Sequence, residues 1–257
     1  MPTILFTVTN DLSYDQRMQR ICASLARHGY SVELVGRTLP ESVALEDQPY
    51  RQRRLHCRFR KGFLFYAEYN VRLFGYLMRA KYDAVCSIDL DTLPAGCAAT
   101  LLRRKRRVFD AHEYFTEVPE VTGRPFVKFF WNTVARLCLP FYRHAYTVGP
   151  ALAALFEKKY GLPFAVVRNV GINPPMIATG EPEKGFILLY QGALNEARGI
   201  EALLEAMRQL EGFQLWLAGE GDLAERLRQV VAGLGVQDRV RFLGRVRPAD
   251  LKTITRQ

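Results

Sequence analysis

Short apolar runs alternate with stretches of helical spacing along most of this chain. TILFTVT (3–9), YSVELVG (30–36), AVCSID (84–89), RVFDAH (107–112), AYTVG (145–149) and FAVVRNV (164–170) read as strands, and LHCRF (55–59) as a further one. Between them, QRMQRICASLARHG (16–29) places Met18, Ile21, Cys22 and Leu25 on one helical face and stops at Gly29. GFLFYAEYNVRLFGYLMRA (62–80) reads as a helix rich in aromatics. Strands apolar on both faces, alternating with helices, predict parallel βαβ units. The stretch 171–185, GINPPMIATGEPEKG, has three prolines, three glycines and no apolar period. It reads as a linker. The alternation then restarts: FILLYQG (186–192), a helix over 198–210, FQLWLAG (213–219), a helix over 222–234, RVRFLG (239–244) and the start of a helix at PADLKTITRQ. The fold class expected is α/β, with two Rossmann-like domains in tandem: 1–170, then the linker 171–185, then 186–257. The second has room for only three strands before the sequence stops inside a helical pattern, so an incomplete domain is expected.

Composition narrows the class. With 257 residues, 49% hydrophobic and 24% charged, the chain is globular in character. The net charge of +10 is uneven: residues 1–165 hold 24 basic and 15 acidic residues, against 12 and 11 afterwards. Whatever needs positive charge is therefore served by the N-terminal half. Five cysteines, an odd number without a CxxC pair, fit reduced thiols in the cytoplasm and no zinc site. The most apolar helix, PFVKFFWNTVARLCLPFY, contains Lys128 and Arg136 and has a proline near each end, which makes a poor membrane span.

Four stretches carry candidate chemistry. In YQGALNEARGIEALLEAM (190–207) a strand, Gly192 and a helix N-terminus form a common anion-binding arrangement. Arg198 in the first turn would add a phosphate contact, or would be a solvated partner of Glu196 or Glu201. FDAHEY (109–114) puts Asp110, His112 and Glu113 at the carboxyl end of a strand, where open α/β sheets bind ligands; a histidine bonded to backbone is the plain alternative. TNDLSYDQR (9–17) offers Asp15 or Ser13 as a helix cap, with Asp15 and Arg17 as candidates for a cleft. LAGEGD (217–222) is either a second phosphate turn or a tight turn. Beside these, RQRRLHCRFRK (51–61) holds six cations and no acid, and RRKRR (103–107) is a second basic run. With the aromatics that follow 51–61, they suit an anionic membrane surface or a lipid-diphosphate acceptor, or are simply solvated. No nucleic-acid reading motif accompanies them, so nucleic acid is not an expected partner.

In their order and spacing, TNDLSYDQRMQRICASLARHGYSVELVG, IDLDTLPA, FDAHEYFTEVPE, VVRNV, YQGALNEARGIEALLEAM, LAGEGDLAERL and VRFLGRV resemble the retaining GT-B glycosyltransferases of family 4. The resemblance covers nearly the whole chain. It implies transfer of a sugar from a nucleotide-sugar to a lipid-linked or polysaccharide acceptor, with retention and with no metal or other cofactor, at the cytoplasmic face of the membrane. It assigns His112, and more weakly Glu113, to the donor sugar. It assigns Gly192, Asn195 and Arg198 to the donor diphosphate, with Arg198 standing where the family has lysine and Ala193 where it has arginine. It assigns Leu243, Gly244, Arg245 and Val246 to the nucleobase. The family's pair of glutamates separated by seven residues lies beyond the nucleobase strand, and this sequence ends at Gln257 before any such pair. A truncated member is therefore expected. A nucleotide-sugar 2-epimerase of the same fold and an inactive membrane-binding fragment are the alternatives.

Overall fold

The computed structural model describes residues 1–171, 186–246 and 248–255. The chain divides into two compact units, Met1–Gly171 and Ile172–Gln257. Most of the segment read as a linker, 172–185, lies outside the described residues.

In the first unit seven strands form one parallel sheet: β1 (Thr3–Thr7), β2 (Ser31–Arg37), β3 (Arg51–Leu55), β4 (Ala84–Ile88), β5 (Arg106–Ala111), β6 (Ala145–Thr147) and β7 (Phe164–Val166). Their order is β3-β2-β1-β4-β5-β6-β7. The chain thus steps outward one way from β1 and the other way from β4, so the loops after β1 and β4 diverge and open a crevice at the carboxyl edge. Helices α1 (Gln16–Arg27), α2 (Gly62–Arg79), α3 (Asp89–Leu102), the single turn α4 (Pro119–Thr122), α5 (Pro125–Cys138) and α6 (Pro150–Tyr160) connect the strands. α2 buries Phe65, Tyr69, Leu73 and Leu77, an i, i+4 stripe that packs on Leu5, Val35 and Val85 of the sheet.

The third strand is not LHCRF. β3 lies upstream, over RQRRL, inside the run read as a basic patch. The reason is its place at the sheet edge, where charged side chains are tolerated. Arg51 and Arg53 reach Glu33 of the neighbouring β2 at 3.7 and 3.5 Å, and Arg53 also lies over the Tyr76 ring. Arg54 turns to the other face and donates to Asp11 and Ser13 at 2.6 Å each. Three of the six cations in 51–61 thus serve the fold, while Arg58, Arg60 and Lys61 are exposed.

The second unit contains β8 (Phe186–Gln191), β9 (Phe213–Ala218) and β10 (Val240–Gly244) in a parallel sheet of order β10-β9-β8. Helices α7 (Ile200–Ala206), α8 (Ala224–Leu234) and α9 (Pro248–Ile254) accompany it. Leu194, Ile200, Leu204, Leu215, Leu217 and Leu227 form its core. α7 is shorter than the helix expected over 198–210. Gly199, in the left-handed region at φ 71°, bends the chain immediately before it.

Candidate active site

The crevice of the first sheet gathers a buried polar cluster. Asp110, the penultimate residue of β5, is fully buried, and His112 is the first residue after the strand. Asp110 accepts from Arg17 of α1 at 3.0 Å and pairs with His112 Nε2 at 2.9 Å. Arg17 itself is only 10% exposed. From the end of β4 comes Asp89, in the left-handed region at φ 53°; its Oδ1 accepts the His112 backbone N–H at 2.8 Å. Two residues on, the Asp91 side chain accepts from Thr9, which follows β1. Asn70 of α2 ties the group together: it donates to the Asp91 carbonyl at 2.7 Å and accepts the Ala95 N–H at 3.1 Å. Loops after β1, β4 and β5 therefore converge on one point.

The electrostatics follow from burial. Desolvation pushes the Asp89 carboxyl up to about 8, with Asp91 and Glu113 adding repulsion and His112 opposing. Desolvation likewise raises Asp91 to about 6, against the pull of the Thr9 hydrogen bond. Burial alone would lower His112, but the hydrogen bond it donates to Asp110 and the charges of Asp89 and Asp110 outweigh it, so it is raised. Asp89 therefore keeps its proton near neutral pH, and the hydrogen bond to Asp110 biases His112 toward its protonated form. His112 Nδ1 stands 4.0 Å from Asp89 Oδ2, beyond hydrogen-bond distance. It is the ring atom left to donate outward.

A pH dependence follows. Asp89 is raised well above its unfolded value, so between the two values the folded chain holds a proton that the unfolded chain has lost. The stability this confers is full below the unfolded pKa and falls as pH rises through about 8. Denaturant midpoints at pH 6, 7 and 8 are expected to decline. Asp89→Asn, which suits the left-handed backbone, should flatten that decline. An equal slope in the variant would show that Asp89 does not carry it.

The other first-unit candidates have structural duties. Asp15 caps α1, accepting the Met18 N–H at 3.0 Å, and its second oxygen accepts from Asn10 at 3.2 Å. Ser13 is not the cap. Arg17, a cleft candidate, faces inward to Asp110. Glu113 is exposed at the rim and near enough for its charge to act on Asp89.

In the second unit the three parallel strands point their carboxyl ends to one edge, which places Gly192, after β8, and Leu243–Val246, at the end of β10, along the same edge. The loops after β8 and β9 are pinned together: Leu194 N–H donates to Glu220 O at 3.1 Å and Leu223 N–H to Leu194 O at 2.9 Å. A Cβ on Gly219 would lie 1.8 Å from the Gly192 carbonyl oxygen, and one on Gly221 2.5 Å from that of Leu194. The glycines of LAGEGD thus permit this close approach. Asn195 is used here too: its Oδ1 accepts the Asp222 N–H at 3.2 Å, so it shapes the loop. Arg198 precedes α7 and is not in its first turn. It is exposed and, among the described residues, has no ion pair with Glu196 or Glu201. Leu243, Gly244 and Val246 are half-buried, and Arg245 is exposed.

Asp89 and Asp91 received no role from the sequence. The signal was two carboxylates at i and i+2 directly after the apolar AVCSI, where a strand enters a helix.

Comparisons with known proteins agree with this architecture. The sequence model of Glycosyltransferase Family 4 matches residues 16–173, and that of Glycosyl transferases group 1 matches residues 176–257. The lipopolysaccharide core biosynthesis glycosyltransferase LpsD of Rhizobium meliloti is 36% identical over 63 residues, which are 24% of this chain and 18% of that one. Among solved structures, sucrose-phosphate synthase from Thermosynechococcus elongatus superposes with a TM-score of 0.78 at 16% identity, covering 100% of this chain and 73% of that one. Anabaena HepE in complex with UDP-glucose gives a TM-score of 0.66 at 16% identity, covering 96% and 70%. With one family model spanning more than half of its length and the two-sheet α/β architecture of its GT-B neighbours, the chain belongs to glycosyltransferase family 4.

Proposed function

We propose that this chain serves a glycosyltransferase that moves a hexose, with retention, from a nucleotide-sugar to a hydroxyl of a lipid-linked or polysaccharide acceptor in cell-surface glycan synthesis. The observation that carries this reading is His112, held by buried Asp110 and by Asp89 at the crevice where the strand order reverses. His112 Nδ1 donates to the donor sugar and stabilises charge near the anomeric carbon. Exposed Arg198, in the loop that begins at Gly192, neutralises the departing nucleoside diphosphate, whose negative charge grows as the bond to the sugar breaks. Leu243, Gly244, Arg245 and Val246 flank the base. The chemistry needs no resident metal, because arginine and backbone dipoles supply the positive charge. The UDP-glucose bound to HepE and the lipopolysaccharide role in the name of LpsD support the donor and the acceptor classes.

The lipid side of the acceptor is supported by a cleft of about 350 Å³ between α2 and α5, lined by Phe63, Tyr66, Phe115, Trp131 and Arg124 among others. Nearby apolar rings face outward: Phe126 is 90% exposed, Phe129 72% and Phe63 66%. With Arg60 and Lys61 exposed beside Phe63, they suit peripheral contact with the inner face of the cell membrane. Among the described residues, no helix is long and apolar enough to cross a membrane.

The test is calorimetric titration of the purified chain with UDP-, GDP- and ADP-sugars. One of them is expected to bind, and Arg198→Ala to weaken it by about 10- to 100-fold, the loss of a charge-assisted phosphate contact. Binding of none, or unchanged affinity in the variant, overturns the donor assignment. Product analysis separates transfer from 2-epimerisation, which would alter the sugar with no acceptor present.

A further inference from the structure

The edge of the first sheet opposite His112 carries a second basic feature. β5 begins at Arg106 and β6 at Ala145, and the segments feeding them bring Lys105, Arg106, Arg107, Arg143 and His144 around one concavity of about 520 Å³. Pro140 and Phe141 complete its wall, with Phe141 about half exposed. No acidic residue lines it. Along β5, at about 3.3 Å per residue, its entrance lies roughly 17 Å from the end of the strand that bears the candidate site.

The cations of this pocket are poorly compensated. Lys105 stands 3.7 Å from Asp83, and Arg107 touches the Phe141 carbonyl at 3.4 Å. Among the described residues, the side chains of Arg106, Arg143 and His144 make no hydrogen bond or ion pair. Contrast Arg103 of the same RRKRR run, which donates to the carbonyls of Leu77 and Ala80 and closes the end of α2. Four like charges around one hollow repel each other, and a multiply charged anion relieves that repulsion. A single carboxylate satisfies one guanidinium. A phosphate ester offers three oxygens and nearly two charges, which matches two arginine forks and a lysine. The Phe141–Pro140 wall adds an apolar surface for the remainder of such a ligand.

We propose that this pocket is a second anion site, separate from the candidate active site, that binds a phosphate- or diphosphate-bearing molecule. A phospholipid headgroup and a soluble phosphate ester share that chemistry. The proposal does not depend on sugar transfer.

The experiment titrates the chain with inorganic pyrophosphate by calorimetry and measures its sedimentation with phosphatidylglycerol vesicles and with phosphatidylcholine vesicles. Arg106→Ala/Arg143→Ala is compared with Arg198→Ala, which removes the cation of the donor loop. Both pocket arginines are exposed, so the fold should persist; thermal midpoints check this, and Arg106→Lys/Arg143→Lys restores the charge. The double alanine variant is expected to lose pyrophosphate affinity about tenfold or more, while Arg198→Ala keeps that binding event and the lysine variant recovers part of it. A parallel loss of phosphatidylglycerol binding identifies the headgroup as the source. Retained vesicle binding identifies a soluble ester. The proposal is overturned if the double variant binds pyrophosphate within about twofold of the parent, or if Arg198→Ala alone abolishes binding. Nucleotide-sugar binding, which reads the donor loop, stays unchanged in the double variant, so failure here leaves the proposed function standing.

Discussion

Asp110→Ala is expected to lower the unfolding free energy by about 3–5 kcal/mol, the usual cost of removing one partner of a buried ion pair. Asp110 is fully buried and holds two groups at once, Arg17 at 3.0 Å and His112 at 2.9 Å. Removing it strands a guanidinium that is only 10% exposed and whose Nε already lacks a partner. In a unit of this size, such a loss corresponds to a fall in thermal midpoint of roughly 10 °C. Asp110→Asn keeps the shape and one acceptor oxygen, so its loss should be smaller. Denaturant unfolding of the parent and both variants checks the prediction. A loss below about 1 kcal/mol for the alanine variant would mean that the pair contributes no more than an ordinary surface contact.

His112→Ala is expected to act on the reaction instead of the fold. It leaves the Arg17–Asp110 pair intact, so the thermal midpoint should move far less than for Asp110→Ala. Turnover, measured with the nucleotide-sugar that calorimetry identifies, should fall about 100- to 1,000-fold in kcat, the usual cost of removing one donor aimed at developing charge. KM for the donor should change little, because the diphosphate and the base would be held by the second unit. A variant with kcat preserved and KM raised would place His112 in ground-state binding alone. A variant with neither changed would remove it from the site. His112→Asn, whose amide nitrogen reaches about as far as Nδ1, should recover part of the rate.

The two predictions separate because neighbouring residues of one strand end do different work. Their proximity was legible, since FDAHEY stood out at the end of an apolar run and His112 was singled out for it. The division of labour was not. Asp110 points into the sheet to meet α1, and Arg17, read as a possible substrate contact, is what it meets. Similarly, Asn195 stood in a loop that looked built for phosphate, yet its side chain holds the turn that follows β9. Polar residues near a ligand edge and polar residues that brace it have the same composition and the same local spacing.

The sequence by itself determined the alternation of strand and helix, the parallel class of both sheets, and the family. These depend on periodicity and on short motifs, which are local properties of the chain. It misplaced β3, because an edge strand can be made of arginines when the neighbouring strand supplies Glu33. It left Asp89 and Asp91 without a role. Only the tertiary structure decided that the loops after β1, β4 and β5 close on one point, that Arg17 is buried against a residue 93 positions away, and that the cations of RRKRR divide between helix closure and an open pocket. The physical reason is that burial and pairing set the charge and the duty of a polar side chain. Those depend on neighbours far off in sequence, brought together by strand order, which no local pattern encodes.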